Sequence, residues 1–160
     1  MPQVVTCVLE REGRILILKR SSAVRTYKGL WGGVAGYVEP GEHPLQTALK
    51  EIREETGLLS DEVSLLVQGE PIAFTDVYRG ERYDWTVHPY LFELQKHLEV
   101  KIDWEHSEYR WISPEELSTY ETVPHFPDTV ESLLRKKRMG KRGGVVRRRE
   151  KNNNNSPSSN

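Results

Sequence analysis

One cysteine, no long apolar run and an apolar fraction of only 36% mark this 160-residue chain by what it does without. Cys7 is alone, so it forms no internal disulfide, and no Cys or His stands beside it at zinc-ligand spacing. Its place in an apolar strand pattern predicts a buried, inert thiol. No uninterrupted apolar run approaches the roughly 20 residues of a membrane-spanning helix, and residues 1–10 are too short and too polar for a signal peptide. These absences predict a soluble, unsecreted protein without a membrane partner: cytoplasmic, or nuclear if the source is eukaryotic. The length suits one domain with appendages. The apolar shortfall, against the ~45–50% of typical domains on a count that includes Gly, predicts that part of the chain lies outside the core.

The net charge of −1 conceals a division. Residues 135–160 hold ten Lys or Arg against Glu150 alone, a net +9, whereas residues 1–134 hold thirteen against twenty-three Asp or Glu, a net −10. The pattern predicts an acidic domain over residues 1–134 followed by a basic tail whose Asn/Ser-rich end has almost nothing to bury, disordered from about residue 139. The tail contains no aromatic residue, so base stacking of the kind single-strand binders use is absent, and any nucleic-acid binding there is electrostatic and salt-sensitive. A solvated end is the plainer reading of the same charges.

β-Branched residues at 4–9, a turn containing Gly13 and an apolar run at 15–18 predict a hairpin. Four glycines among residues 29–36 exclude a helix there and predict close-packed backbone. The Glu39-Pro40-Gly41-Glu42 turn then opens onto a helix at Pro44–Thr56, where Leu45, Ala48, Leu49 and Ile52 repeat at i, i+3, i+4 and i+7, with Pro44 suiting the first turn and Gly57 the C-terminal cap. Strands are predicted at Val63–Gln68, Ile72–Tyr78 and 84–94, a short helix from Ser113 by its capping-box pattern, and a further helix at about 128–138.

The chemistry gathers on the Pro44–Thr56 helix. Glu51, Glu54 and Glu55 stand at i, i+3 and i+4, about 5–6 Å apart on a face that flanks the apolar stripe. Like charges at that spacing repel, and a hard divalent cation such as Mg2+ turns the repulsion into binding. Three helical glutamates alone are more often a solvated flank, but their neighbours add weight. Gly36, Glu42, Lys50, Glu51, Ile52, Glu54, Glu55, Gly57 and Leu58 resemble the Nudix box, G-x5-E-x7-R-E-U-x-E-E-x-G-U, at every fixed position but one; a chance match is on the order of one in a million at average residue frequencies.

The similarity reaches over about residues 3–134, including the glycine-rich approach to the box and the Arg110–Leu117 segment. It implies an α/β fold of the Nudix kind, a mixed β-sheet sandwiched between α-helices, and Mg2+- or Mn2+-dependent hydrolysis of a pyrophosphate bond in a nucleoside diphosphate linked to another group. The resemblance assigns Glu54 and Glu55 as principal metal carboxylates, Glu51 as a further ligand or the base, and Gly36 as a backbone-carbonyl ligand. The departure is Lys50, where the family has Arg: a box-orienting residue, with Glu54 at i+4 within its reach. Outside the box, Glu105 is the first candidate for an extra acid and Arg20 for a phosphate contact, while an exposed loop acid and a solvated strand-end Arg are the plainer readings of the two. Trp31 and Trp111 read as core, and His43 and His106 show no partner. Position 74, where family subgroups carry selectivity signatures, is Phe and matches none. A weaker similarity to Nudix domains joined to archaeal proteins related to translation initiation factor 2B supports an alternative, a weakened or inactive domain that senses nucleotides. Oligomeric state leaves no mark in the sequence.

Overall fold

Period-two alternation in the first hairpin sorts the core into two layers. The structure, a computed structural model that describes residues 2–95 and 97–140, places that hairpin in strands β1 (Gln3–Arg11) and β2 (Arg14–Arg20). Val5, Cys7, Leu9, Leu16 and Leu18 face one side, and Val8, Ile15 and Ile17 face the other, all buried. A sheet apolar on both faces needs a cover on each. Helix α1 (Pro44–Thr56) supplies Ala48 and Ile52 to the first layer, and a helix over residues 126–140, α2, supplies Phe126, Val130 and Leu133 to the second. The predicted sandwich is present.

The remaining strands are β3 (Trp31–Gly32), β4 (Val34–Tyr37), β5 (Val63–Gln68), β6 (Ile72–Tyr78), β7 (Glu81–Leu94) and β8 (His106–Ile112). β1 and β7 run parallel, and the other ladders are antiparallel, so the sheet is mixed. One irregularity creates the site. β7 occupies one edge of β1 from Gln3 to Glu10, and the other edge is shared, with β2 paired only at Glu10↔Ile15 and Arg11↔Arg14 and β4 paired from Val4↔Tyr37 to Cys7↔Val34. Beyond the hairpin end β2 leaves β1 and pairs with β3 and β8 instead. Where they part, β4 borders β1 on one side and the end of β2 stands on the other.

Both ends of α1 are fixed locally. His43 Nδ1 accepts the Leu45 amide at 3.2 Å, Pro44 occupies the first turn, and Gly57 adopts φ 77° with its amide on the Arg53 carbonyl. Cys7 is buried, and its burial pushes the thiol pKa well up, as an inert core cysteine requires. One expectation changes: the segment 106–112 is a full strand, β8. The helix predicted at about 128–138 is present as α2 and runs from 126 to 140. Lys136 Nζ donates to the Gln68 carbonyl at 2.7 Å and Lys137 pairs with the buried Glu10, which ties the first basic residues to the domain. The rest of the predicted tail lies outside the described residues. Among the described residues no helix is long and apolar enough to cross a membrane.

Candidate functional site

The three box glutamates occupy three different environments. Glu54 is exposed, Glu51 half-buried and Glu55 buried at 1% exposure. The helical stripe explains the gradient: Leu45, Ala48, Ile52 and position 55 follow at +3, +4 and +3, so Glu55 continues the apolar face toward the core. The signal was in the sequence, where the next stripe position is an acid. Inside, Glu55 Oε1 accepts the Ala35 amide at 3.3 Å, and no donor among the described residues reaches the buried Oε2. Burial, and then the neighbouring Glu51 and Glu105, push the Glu55 pKa well above the usual carboxylate range.

Gly36 is required by contact. A Cβ there would stand 2.3 Å from Glu51 Cδ and 2.7 Å from Oε1, so the Glu51 side chain lies directly over the β4 backbone. Glu51 is itself raised, first by burial and also by Glu54. Ser21 fastens the 103–106 turn to the end of β2, its amide donating to the Glu105 carbonyl and its hydroxyl to that of Trp104, both at 2.8 Å. Glu105, half-buried, is raised by burial and then by Asp103 and Glu51, so it belongs to the same electrostatic cluster.

Arg20 ends β2. Its Nε donates to the Thr26 carbonyl at 2.8 Å and its Nη2 to the Thr26 hydroxyl at 3.3 Å, and it has no ion-pair partner within 4 Å among the described residues. Burial lowers its pKa while Glu105 and Glu55 pull it up, a cation facing the carboxylates without touching them.

Lys50 departs from expectation. Its ammonium turns away from Glu54 and grips both oxygens of Glu42, at 3.0 and 3.2 Å. Glu42 also accepts from the Thr47 hydroxyl at 3.0 Å and the Glu39 amide at 3.1 Å, and these donors hold its pKa low, Lys50 above all. The reason is geometric: the Pro40-Gly41 turn folds Glu42 back over the first turns of α1, where Lys50 meets a carboxylate that is already oriented.

His106 escaped sequence reasoning. It is paired across the sheet with Arg20, its side chain 2% exposed, with Nδ1 3.1 Å from Asp103 Oδ1 and Nε2 3.6 Å from Glu55 Oε1. Trp31 is buried core, and Trp111 packs at the edge of the α1 layer with Arg11 4.3 Å from its ring centre.

The donor set is acidic, oxygen-rich and short of cations. Among the described residues no group of three or more His, Cys, Asp or Glu side chains is arranged so that it could hold a metal ion as it stands. The unserved Glu55 Oε2, the Glu51 carboxylate over Gly36 and the pKa values raised first by burial nevertheless fit a hard divalent cation, which would supply the positive charge that the fold withholds.

Comparison with known proteins agrees with the box. The family profile for the NUDIX domain matches residues 1–133. The nucleoside triphosphatase NudI of Escherichia coli K12 is 30% identical over 125 residues, covering 74% of this chain and 86% of NudI. Among solved structures, a MutT protein from Methanosarcina mazei shares 29% identity at a TM-score of 0.64, covering 84% of this chain and 94% of that one. A Caenorhabditis elegans Ap4A hydrolase, at 18% identity, shows the same fold with a TM-score of 0.67 over 90% of this chain and 99% of its own. With the box, the sandwich and a profile spanning nearly the whole described chain in agreement, this protein belongs to the Nudix hydrolase family, whose members as a class cut pyrophosphate bonds in derivatives of nucleoside diphosphates.

Proposed function

We propose that this chain is a Mg2+- or Mn2+-dependent pyrophosphohydrolase acting on a nucleoside triphosphate or a related nucleotide, with its catalytic domain within residues 1–134. One observation carries the reading: a carboxyl oxygen, Glu55 Oε2, is buried beside a second acid without a donor, an arrangement that costs free energy in the ionised form unless a proton or a cation completes it. Glu54, Glu55 and Glu51 are the metal carboxylates, and Gly36 offers its backbone carbonyl beside them. A bound divalent ion supplies charge neutralisation of the pyrophosphate oxygens and a more acidic water.

The chain's own groups do the rest. Gly36 and the Ala35 amide fix where Glu51 and Glu55 lie. Glu105, raised by its acidic neighbours, is placed to hold or release a proton at the rim. Arg20, steadied by Thr26, presents a guanidinium to the substrate's phosphates. Lys50 orients the box through Glu42, a role supported by its contacts to both carboxylate oxygens. That contact supports an active enzyme over a purely sensing domain. The substrate class is drawn from the 30% identity to NudI, a nucleoside triphosphatase.

The test is product release from a panel of nucleoside triphosphates, nucleotide sugars, ADP-ribose and dinucleoside polyphosphates, with Mg2+, with Mn2+ and with EDTA. Metal-dependent turnover with a preference for triphosphates is expected. Tight nucleotide binding without turnover would move the assignment to a sensing module.

A further inference from the structure

Resting on the reading of Arg20 as the phosphate contact, we infer that Tyr27 is a positioning residue: its side chain clasps the β6–β7 hairpin and so holds Thr26 where it aims the Arg20 guanidinium at the substrate's phosphates. The chain from Arg20 to Leu30 is a loop closed at its neck. The Arg20 amide donates to the Leu30 carbonyl and the Gly29 amide to the Arg20 carbonyl, both at 2.9 Å. That neck fixes the Arg20 backbone and leaves its long side chain free to swing. Thr26, further round the loop, stops the swing: its carbonyl accepts Nε at 2.8 Å and its hydroxyl accepts Nη2 at 3.3 Å. Two bonds to one edge set the plane of the guanidinium and leave Nη1, which has no partner among the described residues, to meet a phosphate oxygen.

Thr26 can act as a fixed point only if its loop is anchored, and the anchor is the next residue. The Tyr27 ring is buried at 8% exposure, with its centre 4.8 Å from that of Tyr78. Its hydroxyl donates to Asp76 Oδ2 on β6 at 2.7 Å and accepts the Trp85 indole N–H from β7 at 3.3 Å. The Lys28 amide adds a bond to the Tyr78 hydroxyl, also at 3.3 Å. Burial, and then Asp76, push the Tyr27 pKa up to about 12, so the hydroxyl keeps the proton that it donates.

The backbone gives a second, independent mark. Tyr27 adopts φ 53°, a left-handed conformation that a bulky side chain seldom takes. Such conformations persist only where the surroundings over-determine them, and they gather at ligand clamps. At this turn the Thr26 carbonyl points back at Arg20 while the Tyr27 carbonyl accepts the Leu30 amide at 3.2 Å. A loop that only joined β2 to β3 could place Gly or Asn there without strain.

The experiment is a double-mutant cycle of Tyr27→Phe with Arg20→Ala in the full chain, read as kcat/KM for the best triphosphate of the panel with Mg2+, beside thermal unfolding of each protein. Tyr27→Phe keeps the ring and removes only the hydroxyl. It should lower kcat/KM roughly 5-fold, the worth of one lost hydrogen bond, mostly through KM, and by less than about 2-fold in the Arg20→Ala background. A role in packing alone would give the same fold loss in both backgrounds; that equality, or wild-type kcat/KM in Tyr27→Phe, would overturn the proposal. Asp76→Ala carries the same cycle should Tyr27→Phe fail to fold. If the wild type binds nucleotides without turnover, the Kd of inorganic tripolyphosphate replaces kcat/KM, with the same ratios expected. The phosphate reading of Arg20 fails separately, and the clasp with it: Arg20→Ala alone would then keep wild-type kcat/KM.

Discussion

Two carboxylate clusters lie on either side of Lys50, and they are solved in opposite ways. Glu42, before the helix, has Lys50, Thr47 and the Glu39 amide around it, and its pKa is held low. Glu51 and Glu55, on the following turns, lie near each other and Glu105 with no Lys or Arg within ion-pair distance among the described residues, and their pKa values are pushed up. The chain serves one cluster with its own donors and leaves the other with raised carboxylates and one buried oxygen without a donor among the described residues. A protein that needed only a stable helix would treat both alike; leaving a buried carboxylate oxygen without a donor is costly and points to function.

The comparison breaks most sharply at Glu55. Glu55→Gln should lower turnover by at least about 100-fold, the upper end of what displaced supporting partners of a metal cost, as measured by steady-state nucleotide hydrolysis. Without metal the same variant should be more stable than wild type at alkaline pH. The sign follows from the raised values. Stability from Glu51, Glu55 and Glu105 is complete below the ordinary carboxylate pKa of 4.5 and is lost as pH rises through the raised values, because the folded state then holds buried charge. Unfolding scans of the two proteins should therefore coincide near that lower limit and diverge as pH rises, and saturating Mg2+ should restore the wild type. Next comes Gly36→Ala, whose methyl would collide with Glu51 and move its carboxylate; Mn2+ affinity should fall by roughly 10-fold, read by EPR. The completed cluster should be far more tolerant. Lys50→Arg should keep or raise activity, since a guanidinium also meets both Glu42 oxygens, and a clear fall in kcat/KM would show that Lys50 does more than hold Glu42. Smallest of all, Glu42→Gln should leave Mn2+ affinity within about 3-fold of wild type.

What was legible in the sequence was whatever is encoded by local spacing. The bounds of α1, the Gly57 cap and the strands β5 and β6 were all recovered because Pro, Gly and the period of apolar residues are near neighbours in sequence. The depth of Glu55 was legible in principle, as the next position of the Ala48/Ile52 stripe. Other features depend on contacts between distant residues. β8 alternates poorly, since its outward residues Glu108 and Arg110 pair with each other and its identity comes from pairing with β2. The approach of His106 to Glu55 requires that same pairing, so no local pattern announces it. The partner of Lys50 was missed because helical i+4 geometry suggested Glu54, whereas a turn brings in Glu42 from eight residues back.

The central claim is that the second cluster is a metal site and the first is not. Its most direct test is calorimetric titration of Mn2+ into the metal-free wild type, Glu55→Gln and Glu42→Gln. The account predicts saturable binding in the wild type and in Glu42→Gln, and loss of that binding in Glu55→Gln. Identical titrations for the wild type and Glu55→Gln would contradict it.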